Sequence, residues 1–155
     1  MHRIDLAYPA FFQRDPETPE VWEAYIPGLD GSGPEEFGPG TAGDDLEDCR
    51  RMASGLVDSW LVTHMREGDP IPPAGPLPAG DGWELVRPSL RVQWVVTLRE
   101  LRRAAGYTQA QAATLMEVKQ PNYARLEDPA KANPTLSTIE RIQKVFGADV
   151  RILVG

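Results

Sequence analysis

A chain of 155 residues has room for one domain of ordinary size or for two small ones. With 41% apolar and 25% charged residues, its composition is that of a soluble globular protein and excludes disorder over most of its length. The single cysteine, Cys49, excludes an internal disulfide, two separated histidines give no zinc-ligand spacing, and no segment approaches the ~18 consecutive apolar residues of a membrane span. We therefore expect a cytoplasmic protein with neither a metal ion nor another cofactor.

The net charge of −7 is distributed unevenly along the chain. Residues 1–90 contain 17 acidic and 6 basic residues, a balance of −11, whereas residues 91–155 contain 6 acidic and 10 basic residues, a balance of +4. A polyanion such as DNA would be repelled by the first part and attracted by the second, while a basic protein would prefer the first part. The sequence thus predicts two partners of opposite charge.

The beginning of the chain predicts β-strands. Two short segments rich in aromatic and β-branched residues, 4–12 and 21–26, flank a turn region at Asp15–Pro19 and predict a β-hairpin. The glycine- and proline-rich residues that follow predict a loop, with a possible third strand near Phe37 or Thr41.

A helix from about Asp45 to Arg66 is predicted next, because apolar residues recur at steps of three and four. Asp45 is suited to cap the helix, and Gly68 to end it. The apolar positions expected on one face are Leu46, Cys49, Met52, Ala53, Leu56, Val57, Trp60, Leu61, His64 and Met65. A Gly- and Pro-rich connection over 68–82 leads to a last strand at 83–87. Residues 1–90 thus predict an α+β domain with one helix on one face of its sheet.

Residues 91–155 predict a second, all-α domain of short helices. The first helix, 96–105, stops before Gly106, a residue suited to a left-handed C-cap. Thr108 is suited to cap a second helix over 109–116. A fourth helix, over 136–146, is expected to place four apolar side chains in the core, and an alternating pattern predicts a terminal strand. The residues concerned are Leu136, Ile139, Ile142 and Val145 of the helix and Val150, Ile152 and Val154 of the strand.

The third helix of this domain, residues 120–127, is the element with the clearest chemistry. Pro121 lies near its first position, where a missing N–H costs little. Tyr123 and Leu126 are expected to be buried, which leaves four residues facing outward: Gln120, Asn122, Ala124 and Arg125. Glutamine and asparagine can pair bidentately with adenine, and arginine with guanine, so this helix is predicted to enter the major groove of DNA.

These helices resemble the helix-turn-helix of the Cro/lambda-repressor family over Leu98–Gln109 and Gln120–Glu127. The resemblance implies that Gln109, beside its cap Thr108, begins the second helix against a phosphate. It also implies that Arg102 and Glu127 form an ion pair that locks the first helix to the third. The residues it places facing DNA are Lys119, Gln120, Pro121, Asn122 and Arg125. The chain departs from the family in having Glu117 at the turn position that is usually glycine.

The wider pattern resembles HicB antitoxins that carry a fused DNA-binding domain. Motifs along nearly the whole chain support this resemblance, in order Tyr8–Phe12, Tyr25–Pro27, Gly43–Asp48, Gly68–Pro72 and Arg125–Pro129. The family implies a truncated RNase H-like N-terminal domain that covers a small basic mRNA-cleaving toxin, HicA, and a C-terminal domain that represses the operon. A Gly/Pro insertion between Leu29 and Gly40 is longer than the usual pattern.

These observations predict an antitoxin and autorepressor that acts as a homodimer or higher oligomer on an inverted repeat, with the strand 151–154 pairing between protomers. A stand-alone regulator with a ligand-sensing or oligomerising first domain is the alternative, and a purely structural helical module is another. RNase H-like sheets also use clustered carboxylates to hold Mg²⁺, so a nuclease is a third alternative. Its candidates would be Asp5, Glu23, Asp44, Asp45 and Asp48. We expect no catalysis, because the carboxylates of Asp44, Asp45 and Asp48 are explained by the start of the helix. Those of Asp15, Glu17 and Glu20 are explained as residues of a solvated turn.

Overall fold

The computed structural model describes residues 5–32 and 36–147. They divide into two compact units, one ending at Ser89 and the other beginning at Leu90, and each unit is described by itself. The expected terminal strand, over Val150, Ile152 and Val154, lies outside the described residues. None of the described helices is both long enough and apolar enough to cross a bilayer.

The N-terminal unit contains one antiparallel sheet with the strand order β3-β2-β1-β4. The strands are β1 (Tyr8–Arg14), β2 (Trp22–Tyr25), β3 (Gly40–Gly43) and β4 (Trp83–Val86). The predicted hairpin is confirmed, since β1 and β2 pair in antiparallel register from Phe11↔Tyr25 to Arg14↔Trp22. The third strand lies at Thr41 rather than at Phe37. A short 3-10 helix occupies Pro27–Leu29 in the loop.

Helix α1 (Leu46–Glu67) has the predicted ends. The side chain of Asp45 accepts the N–H of Asp48 at 2.8 Å, and Gly68 ends the helix at a φ of +77°. The buried residues form a stripe at four-residue steps: Cys49, Ala53, Val57 and Leu61. Met52, expected on the apolar face of the helix, is 46% exposed because only this narrow stripe faces the sheet. His64 also lies on the apolar face as expected. Both of its ring nitrogens are shielded from solvent, and neither has a hydrogen-bond partner in the described part of the chain.

One face of the sheet packs against α1. Arg50 of α1 binds the Glu84 carboxylate of β4 through Nε at 2.8 Å and Nη2 at 2.7 Å. Side chains on this face of the sheet include Ala10, Phe12 and Ala24, all of which are buried. The proline-rich connection is attached to the sheet by the hydroxyl of Tyr8, which donates to the Pro72 carbonyl at 2.7 Å. Burial raises the pKa of this hydroxyl.

The C-terminal unit contains four described helices: α2 (Leu90–Ala104), α3 (Gln109–Leu115), α4 (Gln120–Leu126) and α5 (Leu136–Phe146). The predicted start of α2 at Val96 was wrong, because the helix already buries Val92, Trp94 and Val95 before that point. Gly106 follows the helix with a φ of +78°, as its predicted role as a C-cap residue requires.

Helix α5 has the predicted bounds but not the predicted core. Ile142 is fully buried, whereas Leu136 is 80% exposed and Ile139 and Val145 are half-buried. The placement of Leu136 in the core was wrong because it is the first helical residue, directly after the cap Thr135, and so lies at the end of the helix. Thr135 accepts the N–H of Thr138 at 3.2 Å.

Candidate nucleic-acid interface

The second helix of the C-terminal unit, α3, begins with a capping box. The hydroxyl of Thr108 accepts the N–H of Gln111 at 3.1 Å, and the Gln111 side chain accepts the N–H of Thr108 at 2.9 Å. This reciprocal pair fixes the point at which the chain enters the helix. Ala112 and Ala113 are both buried, and their small side chains permit the close approach of α4.

The turn between α3 and α4 is a Schellman motif. Val118 N–H donates to the Ala113 carbonyl at 3.0 Å and Glu117 N–H donates to the Thr114 carbonyl at 3.1 Å. The motif needs a left-handed residue, and Glu117 supplies it with a φ of +57°. The turn geometry is therefore the one that glycine usually provides, obtained here with an L-residue at some cost. Arg141 of α5 donates to the Met116 carbonyl at 3.1 Å and holds the end of α3.

Helix α4 presents the predicted polar set to solvent. Its buried residue is Tyr123, with 0% exposure, and Pro121 stands in the first turn, where it interrupts no helical hydrogen bond. The exposed residues are Lys119, Gln120, Pro121, Asn122 and Arg125. Ala124 and Leu126, expected outside and inside respectively, are both half-buried, because each lies at the border between the exposed and the buried side.

The exposed side chains at the start and end of α4 are available for a ligand. Within the described part of the chain, the side chains of Lys119, Asn122 and Arg125 make neither a hydrogen bond nor an ion pair. Gln120 makes one long contact, in which its Nε2 lies 3.4 Å from Oε1 of Gln109. These side chains could therefore form hydrogen bonds with the base edges of DNA without breaking strong hydrogen bonds inside the protein.

Glu127, directly after α4, joins three elements of the unit. Its carboxylate is 3% exposed and accepts from Nε of Arg102 at 2.6 Å and from Nη2 of Arg102 at 3.0 Å. It also accepts from Nε2 of Gln109 at 2.9 Å and from the hydroxyl of Tyr123 at 2.9 Å. The ion pair between Arg102 and Glu127 implied by the family resemblance is thus present, and it locks α2 to α4.

The full set of donors to Glu127 explains how a nearly buried carboxylate is tolerated. An ion removed from water is stable only where hydrogen bonds replace its hydration, and here four donors do so. Hydrogen bonding to Glu127 raises the pKa of Arg102, and burial, with the nearby Glu127 charge, raises the pKa of Tyr123. Sequence reasoning found the ion pair but missed the contribution of Tyr123.

The side chain of Gln109 makes a contact inside the unit that the resemblance did not imply. The residue is half-buried, and its Nε2 donates to Glu127, while its contact with a phosphate stays a prediction. Its backbone begins α3 beside Thr108, as predicted. One signal could have indicated this side-chain contact. Gln109 is a polar residue at the start of α3, and Glu127 is an acidic residue directly after α4.

Trp94 is a further residue that sequence reasoning missed. The side chain is 3% exposed, and its indole N–H donates to the Leu126 carbonyl, at the end of α4, at 2.9 Å. A buried indole N–H needs such a partner, and a carbonyl at a helix end is otherwise unpaired. Trp94 lies before the predicted start of its helix, so its inward position was not apparent from the periodicity.

The carboxylates that a nuclease would use do not converge on one site. Oδ1 of Asp5 lies 3.5 Å from Nη1 of Arg87, and Glu23 is on β2. The other three, Asp44, Asp45 and Asp48, are at the start of α1. Asp45 caps the helix, and Asp48 accepts the N–H of Asp44 at 3.0 Å. Among residues 5–32 and 36–147, no group of three or more potential metal ligands is close enough to hold an ion.

Comparison with known families agrees with this geometry. Residues 95–152 match the sequence model of a family described as a helix-turn-helix domain. The C-terminal unit carries a helix-turn-helix domain. The matched region begins within α2 and includes α3, the turn, α4 and α5, and it supports the resemblance to Cro/lambda-repressor proteins in this part of the chain. The domain type indicates DNA binding. No curated protein matches the chain significantly.

Proposed function

We propose that the protein is an antitoxin that represses its own operon through the helix-turn-helix domain and neutralises a small basic, HicA-like mRNA-cleaving toxin through its N-terminal unit. It acts in the cytoplasm by binding rather than by catalysis. The observation that carries the DNA-binding half of this proposal is the exposure of Gln120, Asn122 and Arg125 on a short helix whose far end is anchored by buried Glu127.

The chemistry of α4 suits reading of the major groove. Arg125 can donate two hydrogen bonds to guanine, while the amides of Gln120 and Asn122 can donate to and accept from adenine. The cationic Lys119 precedes the helix, and the balance of +4 over residues 91–155 favours approach to phosphates. A homodimer would place two copies of α4 in successive major grooves, about 34 Å apart, over an inverted repeat.

Support for toxin neutralisation comes from the first unit. Its sheet and helix follow the order of elements expected for a truncated RNase H-like domain, and its motifs resemble HicB antitoxins. A balance of −11 over residues 1–90 would attract a basic, RNA-binding protein and compete with RNA for its surface. Mg²⁺-dependent cleavage of RNA or DNA by the purified protein, abolished by Asp5→Asn or Asp45→Asn, would instead identify a nuclease.

The DNA-binding proposal is tested by titrating DNA duplexes, taken from the region upstream of the protein's own operon, with the full chain and measuring the affinity. Arg125→Ala should weaken operator binding by about 1–3 kcal/mol and relax the preference at one base position. Gln120→Ala should relax the preference at another position. Arg66→Ala is the matched control, since it removes the same charge from an exposed position in the other unit. If both α4 variants bind the operator as the wild type does, α4 is not the recognition helix.

A stand-alone regulator that senses a small molecule is a second candidate, and one observation favours it. The N-terminal unit has a groove of about 330 Å³ walled by prolines of the connection, by Pro9 and by Trp83. Apolar grooves of this size can hold small ligands. The two candidates are distinguished by co-purification. If the chain co-purifies with a short basic protein encoded by the neighbouring reading frame, the antitoxin is favoured over the stand-alone regulator.

A further inference from the structure

The sheet of the N-terminal unit has a second face, on the side opposite α1. Strand pairing places Phe11 beside Tyr25 on one side and beside Trp83 on the other. The Phe11 and Trp83 ring centroids are 5.4 Å apart, and the ring of Tyr25 is 5.0 Å from that of Phe37. Four rings thus form a row, three of them on β4, β1 and β2 and the fourth, Phe37, in the loop before β3. We call this row, with Leu85 and Glu23 of the same face, the aromatic face.

The rings of the aromatic face lie close to the backbone. A Cβ atom at Gly40 would come within 2.9 Å of the Tyr25 ring, and one at Gly82 within 2.8 Å of the Phe11 ring. Glycine at both positions allows the two rings to cover the sheet. The row is therefore held in place by the fold rather than by chance orientation of surface side chains.

The aromatic face is partly open to solvent. Phe37 is 64% exposed and Leu85 is 47% exposed, while Phe11, Tyr25 and Trp83 are half-buried. A contiguous group of large apolar side chains that reaches solvent is uncommon on a monomeric protein and indicates an interaction site. Aromatic residues are also the type most enriched at the centres of protein interfaces.

A carboxylate is held within this apolar surface. Glu23 accepts from Nε2 of Gln13 at 3.1 Å and from the hydroxyl of Tyr25 at 3.1 Å. The carboxylate is thus fixed in orientation beside the aromatic row. Aromatic rings and an oriented carboxylate together are a favourable environment for a lysine or arginine side chain, through cation–π contacts and a charge-assisted hydrogen bond.

We propose that the aromatic face is the docking surface for the small basic protein partner, with cationic side chains of the partner lying over the rings and against Glu23. This inference rests on the proposed antitoxin function and assigns it to particular residues. Charge complementarity selects the occupant, because a balance of −11 over residues 1–90 attracts a basic protein. The same charge repels single-stranded RNA, which aromatic sheet surfaces can otherwise bind, and opposes docking of a second, equally acidic copy.

The test uses the full chain and the purified product of the neighbouring reading frame. Phe37→Ser and Leu85→Ser should each raise the dissociation constant about tenfold or more. Met52→Ser is the matched control, since Met52 is 46% exposed but lies on α1, and it should change the constant less than about threefold. Retained operator binding and an unchanged circular dichroism spectrum show that each variant is folded.

The charge is tested separately. Glu23→Gln should weaken binding and reduce its dependence on salt concentration. Glu20→Gln removes the same charge from an exposed position outside the sheet, before β2, and should have a smaller effect. An equal effect of the two substitutions would mean that only the total charge of the unit matters, which overturns the assigned role of Glu23.

The remaining outcomes separate this inference from the function on which it rests. If the wild type binds the neighbouring protein and Phe37→Ser and Leu85→Ser bind it equally well, the aromatic face is not the docking surface and the antitoxin proposal stands. If the wild type does not bind that protein, both fail. Phe37-dependent binding of a 15-nucleotide oligouridine, or Phe37-dependent self-association in sedimentation, would assign the face to RNA or to a second copy instead.

Discussion

The left-handed residue in the turn of the helix-turn-helix offers a direct test of the turn geometry. Glu117 has a φ of +57° and forms the Schellman motif that ends α3. In this region the Cβ of an L-residue approaches a backbone oxygen, whereas glycine has no Cβ. Replacement of Glu117 by glycine should therefore stabilise the C-terminal unit. The hydrogen bonds to Thr114 and Ala113 come from backbone N–H groups and are kept in the variant.

The magnitude follows from two opposing terms. Relief of the left-handed conformation contributes about 1–2 kcal/mol, and the greater freedom of glycine in the unfolded chain offsets roughly 0.5–1 kcal/mol. The net gain is therefore about 0.5–1 kcal/mol. Glu117→Ala is the matched control, because it also removes the exposed carboxylate but keeps Cβ, so the comparison of glycine with alanine isolates the backbone.

Urea unfolding measured by NMR can follow the C-terminal unit separately. The indole N–H of Trp94 donates to the Leu126 carbonyl, so its resonance reports whether α2 and α4 remain packed. With a slope of about 1 kcal/mol per molar urea for a small unit, the glycine variant should unfold at roughly 0.5–1 M more urea than the alanine variant. A glycine variant no more stable than the alanine variant would show that Glu117 is not strained in the turn.

Three further outcomes are expected from the caps and the buried carboxylate. Thr108→Ala removes the capping box and should cost the C-terminal unit about 1 kcal/mol in the same urea experiment. Glu127→Gln leaves the guanidinium of Arg102 without its counter-charge in a nearly buried place and should cost about 3–5 kcal/mol, measured likewise; a loss below about 1 kcal/mol would contradict the assigned burial. A hydrogen bond from the backbone N–H of Asp44, and another from the side chain of Arg51, lower the pKa of Asp48 below its ordinary value of 3.8. The charged carboxylate therefore stabilises the fold at a pH above 3.8, and this stabilisation is lost as the pH falls through the lowered pKa. Acid titration of the Asp48→Asn variant, followed by circular dichroism, should therefore show a shallower loss of stability below that ordinary value than in the wild type.

The elements that could be predicted are those that depend on neighbouring residues. Asp45, Thr108 and Gly68 are caps whose preference comes from their own side chain or lack of one, and the structure places each at a helix end. The hairpin and α5 were also found, because strand-forming composition around a turn and three- to four-residue periodicity are local patterns. The outward residues of α4 followed from the same periodicity.

The errors have a common cause. Leu136 and Met52 have apolar side chains at periodic positions, but periodicity does not indicate where a packing partner ends. Leu136 lies beyond the core at the end of its helix, and Met52 lies beside the narrow stripe of α1 that faces the sheet. The start of α2 was missed because Trp94 owes its inward position to a carbonyl 32 residues later in the chain.

The sequence by itself determined the local elements, the unequal charge of the two halves and the polar composition of α4, because each is a property of residues close together in the chain. Only the tertiary structure decided which distant side chains meet. Glu127 receives donors from α2, α3 and α4, and the aromatic face is assembled from strands up to 72 residues apart in the chain, as from Phe11 to Trp83. Such sites depend on the crossing of helices and the order of strands, which long-range packing sets and local pattern does not.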